Sequence, residues 1–310
     1  MKEVGDTMKK ISESINLKTK KIDLEKSFYE ALKNDTFKLV VEKLKLPKEK
    51  LYNYTSTLED CSVEYGNCLN CKNLIDCKNK IKGHAYLPEV ENDNLKFGYK
   101  KCNKLKKYEK ETKYLENVYD YDIPEQVKRA SMKDIYTDDK NRFKVIKWIT
   151  KFIKSYDKNH HLKGLYLSGS FGSGKTYLIS AMFNELAKDG VKSAIIFWPE
   201  FITDLKGSFG KDDYSTKIER IKKVPLLLID DIGSESVTEW SRDEVLCPIV
   251  QHRMQEALPT FFTSNLSLDL LEEHLSNSKG KVEEVKARRV IERIDQLTEK
   301  EDLISVNYRK

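Results

Sequence analysis

Along the first part of the chain, apolar side chains recur at helical spacing. Leu24, Phe28 and Leu32 lie four apart on one face, Asn34 and Asp35 interrupt them, and Phe37, Val40, Val41 and Leu44 resume the pattern. Pro47 stands where a further helix can begin. The spacing predicts a small helical bundle or hairpin. The pattern fades over residues 96–113, KFGYKKCNKLKKYEKETK, which lysine dominates. Beyond Cys102 this stretch reads as an exposed helix or a solvated tether.

Further on, the period alternates. NRFKVIKWITKFIKSY has helical spacing, and KGLYLS is a short apolar strand that runs into a Gly-rich loop. KTYLISAMFNELAKDG is a helix stopped by Gly190, KSAIIFW a strand, and VPLLLIDDIG a buried strand ending in carboxylates. WSRDEVLCPIVQHRMQEA reads as a helix, PTFFTSN as a strand, VEEVKARRVIERIDQL as a helix and EDLISVNYR as a last strand. Strands alternating with helices predict an α/β fold, a parallel sheet with flanking helices. The chain therefore divides into a small helical domain at 1–105, a linker at 106–130 and the α/β domain at 131–310.

Of the 310 residues 39% are apolar, enough to bury a core. No run approaches the length of a membrane span, and MKEVGDTMKK carries no apolar signal region, so the expected location is the cytoplasm. The net charge of +6 is compatible with nucleic acid, although an ordinary solvated surface accounts for most of the lysines.

Five of the six cysteines lie between Cys61 and Cys102, and Cys247 stands alone. In a cytosolic chain such clustering suggests metal rather than disulfides. Cys68 and Cys71 form a C-x-x-C knuckle, followed by Cys77, His84 and Cys102. Four of these five suffice for a tetrahedral structural zinc. The preferred set is Cys68, Cys71, His84 and Cys102, because the last two draw distant segments together. Cys77 is the reserve ligand, and Cys61 is expected to be free. The competing reading is a group of buried or free thiols.

GSFGSGKTYL, residues 169–178, fits G-x-x-x-x-G-K-[ST]. Its glycines let backbone N–H groups turn toward phosphate oxygens, and the following helix adds its positive dipole end. Lys175 is placed to reach the β- and γ-phosphates and the Thr176 hydroxyl to ligate Mg²⁺. The nucleotide set is Gly169, Ser170, Phe171, Gly172, Ser173, Gly174, Lys175, Thr176 and Tyr177. Asp230 and Asp231 close the run LLLIDD, where a buried strand meets ligand. Asp230 is expected to hold Mg²⁺, and Asp231 to orient or deprotonate the attacking water. Asn265 reaches the γ-phosphate region if its strand lies between the other two. Arg289 and Arg293 share one helical face. They are either an arginine finger for a neighbouring subunit or a salt-bridged surface with Glu284 and Glu292.

GLYLSGSFGSGKTYL, LLLIDDIGSE, RDEVLCPIVQHRMQEALPTFFTSN and EEVKARRVIERI, behind a Cys/His-bearing N-terminal region, resemble the DnaI-type primosomal helicase loaders. These are AAA+ ATPases of the DnaC/IstB-like group. The resemblance covers nearly the whole chain and is strongest over 160–295. It implies that Gly169 to Thr176 is Walker A and that Asp230 and Asp231 are Walker B, with Asp where many relatives carry Glu. It implies sensor 1 at Asn265, an arginine finger at Arg293 with Arg289 as the alternative, and a sensor-2-like Arg309. The implied cofactors are ATP, Mg²⁺ and Zn²⁺. The implied activity is a slow ATPase, stimulated by single-stranded DNA, that delivers the replicative DnaB-type helicase hexamer onto single-stranded DNA. The implied partners are that hexamer, single-stranded DNA, other primosome proteins and further copies of the chain during loading. A related IstB-like transposition ATPase is the alternative. A small-molecule kinase would need a lid and an acceptor pocket, and no segment supplies either.

Overall fold

The computed structural model describes residues 23–92, 94–137, 139–157, 162–207, 212–278 and 281–308. The chain divides into two compact units, residues 1–112 and 113–310. Among the described residues no helix is long and apolar enough to cross a membrane.

In the first unit, α1 is helical over residues 23–31, followed by α2 (Asp35–Leu44) and α3 (Thr55–Leu69). The interruption at Asn34 is a cap: its Oδ1 accepts from the N–H groups of Thr36 and Phe37 at 2.9 and 3.2 Å, satisfying two orphan donors of α2. The expected apolar face is the core, with Phe28, Phe37, Val40 and Leu58 buried together. Pro47 opens a short 3-10 turn, Lys48–Lys50, rather than an α-helix.

A hairpin then appears that the apolar pattern did not announce. β1 (His84–Glu91) and β2 (Asn94–Lys101) pair antiparallel, with Tyr86 opposite Tyr99. The buried Glu64 of α3 ties the hairpin down by accepting the Tyr86 N–H at 2.6 Å. The Lys-rich stretch is thus half strand; its second half is α4 (Asn103–Thr112).

The second unit begins with β3 (Val118–Tyr121), which lies inside the stretch expected as a linker but is a strand of the main sheet. The short α5 (Glu125–Lys128) and α6 (Phe143–Ser155) follow. Then come β4 (Gly164–Gly169), α7 (Lys175–Lys188), β5 (Ser193–Phe197), α8 (Trp198–Gly207), α9 (Asp212–Lys223) and β6 (Leu226–Asp230). A π-helical turn over Trp240–Leu246 leads into α10 (Cys247–Gln255), so the single helix read from the sequence starts in a wider coil. β7 (Thr260–Ser264), α11 (Leu268–Ser276), the two-residue ribbon β8 (Asn277–Ser278) and β9 (Lys281–Val282), α12 (Glu284–Leu297) and β10 (Thr298–Leu303) complete the unit.

Six strands form one parallel sheet in the order β10-β4-β7-β6-β5-β3. Side chains alternate across it. Leu226, Leu228 and Phe261 face α6 and α7, whereas Leu227, Ile229 and Phe262 face α10 and α12. Both faces are covered, as a parallel sheet requires. The last strand stops at Leu303, and residues 304–308 continue without regular structure, not as the expected EDLISVNYR strand.

Among the charged side chains buried in this unit, Arg253 is the most enclosed. Arg253 of α10 is fully enclosed and donates to the carbonyls of Ile221, Val224 and Pro259 at 3.0, 2.7 and 2.9 Å. Its Nε donates to Thr260 Oγ1 at 2.8 Å. The guanidinium thereby satisfies chain ends entering β6 and β7 that would otherwise be buried without donors. Burial pulls its pKa down to about 9, which leaves it charged at neutral pH.

Candidate functional site

The carboxyl ends of β4, β7 and β6 lie side by side and bring the expected nucleotide residues together. β4 ends at Gly169, the loop crosses to Gly174, and α7 starts at Lys175. Gly169, Gly172 and Gly174 have φ of +139°, +70° and +86°, a region where a side chain is strained. Lys175 is turned into its own loop. Its Nζ donates at 2.9 Å to each of Gly169 O, Ser170 O and Asn265 Oδ1. Asn265, one residue past β7, uses its amide in both senses, because Nδ2 donates to Asp231 Oδ1 at 3.0 Å. β7 does lie between β4 and β6, the condition for Asn265 to reach this region.

A second chain of bonds runs beside the first. Thr176 Oγ1 donates to Asp230 Oδ1 at 2.6 Å, and Thr263 Oγ1 donates to the same oxygen. Thr263 also accepts the Asp231 N–H at 3.0 Å. Asp230 is buried, and desolvation holds its pKa above the usual carboxylate value despite the two hydroxyl donors. Asp231 adopts a left-handed backbone, φ +57°, which is uncommon for a residue with a Cβ and recurs at functional sites. A Thr hydroxyl beside a buried Asp at the start of α7 is a donor set suited to Mg²⁺.

The remaining expected residues are placed differently. Ser173 Oγ donates to Ser170 O at 2.8 Å and braces the loop, while Phe171 is 70% exposed at its tip. Tyr177 points away from the loop, and its hydroxyl accepts the Ser131 N–H at 3.3 Å. Arg293 on α12 donates through Nε to Gln251 of α10, not to Glu284 or Glu292. Arg289 on the same face is exposed. Arg309 lies outside the described residues.

Two residues at this site gave no sequence signal of their own. Thr263 links Asp230 to Asp231 but reads as one more strand threonine. Arg142, in NRFKVIKW, reads as a solvated cation, yet it is 2% exposed and donates from Nη1 to Ser173 O at 3.1 Å.

The thiols of the first unit form a looser group. Cys68, Cys71, Cys77, His84 and Cys102 line one cavity of about 200 Å³. Among the described residues, however, no three His, Cys, Asp or Glu side chains converge as metal ligands do. The preferred zinc set is therefore not assembled, and His84 is engaged elsewhere, with Nδ1 3.2 Å from Lys82 O. Donors instead point at three sulfurs: Asn79 Nδ2 to Cys68 at 3.3 Å, Gly83 N–H to Cys77 at 3.4 Å and Leu105 N–H to Cys102 at 3.4 Å. Cys71 donates to Asn73 O at 3.2 Å. Cys61 is buried in the helical core, apart from this lining.

The phosphate loop, the paired aspartates on the adjacent strand and the parallel order place the chain among AAA+ P-loop ATPases. Residues 147–295 match the family described as IstB-like ATP binding protein. The chain is 37% identical over 249 residues to the replicative helicase loader DnaI of Bacillus subtilis, a match spanning 79% of this chain and 77% of that protein. A crystal structure of DnaI superposes with a TM-score of 0.56 at 43% identity, covering 64% of this chain and all of that one. A putative primosome component from Streptococcus pyogenes superposes at 0.55 with 35% identity over 64% of this chain and all of that one. The chain belongs to the DnaI family of replicative helicase loaders.

Proposed function

We propose that this protein is an ATP-dependent loader that holds the replicative DnaB-type helicase hexamer and delivers it onto single-stranded DNA. The observation that carries this reading is the reach of the DnaI match. Residues 113–310 make up less than two thirds of the chain, so a match spanning 79% extends into the N-terminal unit. A shared ATPase core alone would stop at the unit boundary. The same reach disfavours an IstB-like transposition role, because the family match to that group lies within the second unit.

The chemistry follows from the site. ATP phosphates entering the loop draw Lys175 Nζ off Gly169 O, Ser170 O and Asn265. Thr176 and Asp230 would hold Mg²⁺, which would supply charge neutralisation at the β- and γ-phosphates. Asn265 is then free to orient the attacking water while still bonded to Asp231. Asp231, bonded to Asn265, accepts the proton. Arg289 or Arg293 of a neighbouring copy completes the site during loading. The Arg293 bond to Gln251 favours Arg289 as the residue free to cross.

In the first unit, the residues that would hold a zinc ion are Cys68, Cys71, Cys77 and Cys102. The N–H donors aimed at three of these sulfurs would orient them as the outer partners of metal ligands do, and the His84 contact favours Cys77 over His84 as the fourth ligand. The unit docks the helicase, and the second unit binds single-stranded DNA, which stimulates hydrolysis.

Co-purification with the replicative helicase tests the reading. Full-length protein retains the hexamer in the presence of ATP, and helicase appears on single-stranded DNA only when the loader is added. Equal helicase loading with and without this protein would refute it.

A further inference from the structure

The outer side of the phosphate loop is gripped by groups that belong neither to the loop nor to the catalytic residues. The chain end, residues 303–308, crosses it and is bonded at both ends. Ser170 N–H donates to Leu303 O at 3.2 Å, and Tyr308 N–H donates to Gly172 O at 2.9 Å. Arg142 grips the next carbonyl, Ser173 O, at 3.1 Å. The fit is close: a Cβ on Gly169 would overlap Leu303 O, and a Cβ on Gly172 would overlap Asn307 Oδ1. The strap has its own anchors. Ser305 donates to Asp139, and the Tyr308 ring stacks on Tyr136 at 5.2 Å, with 5° between the planes. The Arg142 guanidinium lies 4.6 Å from the centre of the Tyr308 ring, and its buried Nε has no hydrogen-bond partner.

A trans peptide points its C=O and the following N–H in opposite directions. Donors that fix Gly172 O and Ser173 O on the outside therefore fix the N–H groups of Ser173 and Gly174 on the inside, where phosphate binds. The Ser173 N–H lies 3.4 Å from Ser170 O, an oxygen that also accepts from Lys175 Nζ at 2.9 Å. A guanidinium on a carbonyl also polarises that peptide and strengthens its N–H as a donor.

We propose that Arg142 and the strap Leu303–Tyr308 are positioning residues for nucleotide binding, holding the phosphate loop by its carbonyl edge so that its amides face the phosphates. The proposal rests on the reading of residues 169–176 as the nucleotide site. It also assigns Gly169 and Gly172 a second duty, admission of the strap.

Titration of ATP and ADP against full-length variants tests this. Ending the chain after Leu303, or replacing Arg142→Gln, weakens both nucleotides by about tenfold or more, the loss expected for a charge-assisted bond or two. The thermal midpoint without nucleotide moves little, which separates positioning from general support of the fold. Arg142→Lys recovers part of the affinity, because it keeps a charged donor near Ser173 O. Tyr308→Phe binds normally, because the backbone N–H and the ring persist. A chain ending at Tyr308 keeps the strap, lacks Arg309 and binds normally; if it shows the whole loss, Arg309 and not the strap is responsible. Wild-type affinity in both the Leu303 truncation and Arg142→Gln overturns the proposal. Should the truncation fail to fold, Arg142→Gln decides alone. Lys175→Ala serves as the control: if it too binds at wild-type strength, the site reading itself falls and the proposal with it.

Discussion

The two units hold their chemical groups in opposite ways. In the ATPase unit the functional side chains are bonded to one another before any ligand arrives: Lys175 to Asn265, Asn265 to Asp231, and Thr176 and Thr263 to Asp230. Each stands at or just beyond the end of a strand or at the start of a helix, so the sheet fixes the geometry. In the N-terminal unit the thiols of Cys68, Cys71, Cys77 and Cys102 share a cavity but bond to their own surroundings. One site is assembled by the fold; in the other the sulfurs line a shared cavity without converging on a common point. The difference teaches where each unit's stability comes from: apolar layers on both faces of a sheet in one and, among the described residues of the other, a cluster of nine buried apolar side chains.

The largest expected effect tests that second clause. Stripping metal with a chelator, or combining Cys68→Ser with Cys71→Ser, abolishes cooperative unfolding of the N-terminal unit, since structural zinc contributes on the order of 10 kcal/mol to such sites. ATP binding by the second unit stays intact. Calorimetry of the full chain with and without metal reads both, and two unchanged transitions would erase the contrast. Elemental analysis sharpens it: Cys77→Ser loses zinc and His84→Ala keeps it.

Next in size, Lys175→Ala removes the charge that meets the phosphates and weakens ATP by about 100-fold or more, while the apo fold persists. Fluorescent-nucleotide titration and a thermal scan of the same sample check the pair of outcomes.

Arg253→Met leaves several buried carbonyls without donors and destabilises the second unit by about 3 kcal/mol, read from urea midpoints. The N-terminal transition does not move.

The smallest effect runs the other way. Asp230 has a raised pKa in the folded state, so above the ordinary carboxylate value the native state holds more proton than the unfolded chain. Stability contributed at this position therefore falls as pH rises through that window. Asp230→Asn removes the penalty and stabilises the empty protein by about 1 kcal/mol near neutral pH, with the gap to wild type closing toward pH 4. Hydrolysis is lost at the same time. A gap that did not grow with pH would show that burial of Asp230 is not the cause.

The sheet was legible because parallel strands covered on both faces are apolar runs: GLYLS, AIIF, LLLI and TFFT announce themselves. The site was legible because the phosphate loop and the aspartates occupy strand ends at fixed spacing. The hairpin His84–Lys101 escaped because lysines and glutamates alternate through it, and one face of an antiparallel pair can stay in water. β3 escaped as VYDY, a short half-buried edge strand. Arg142 and Arg253 escaped for a different reason: nothing in a sequence separates an arginine that will bind carbonyls in the interior from one that will sit in solvent. Past Leu303 the strand pairing ends, and the Tyr308 N–H goes to Gly172 O of the phosphate loop instead of to a neighbouring strand.

Because Lys175 donates to Gly169 O, Ser170 O and Asn265 Oδ1, nucleotide binding is an exchange and not a simple gain. The incoming phosphates must outbid Gly169 O, Ser170 O and Asn265 for the same ammonium protons, and on departure those three take it back. Part of what ATP or ADP gains from this ammonium is then offset by the bonds given up, which lowers the net affinity for both nucleotides.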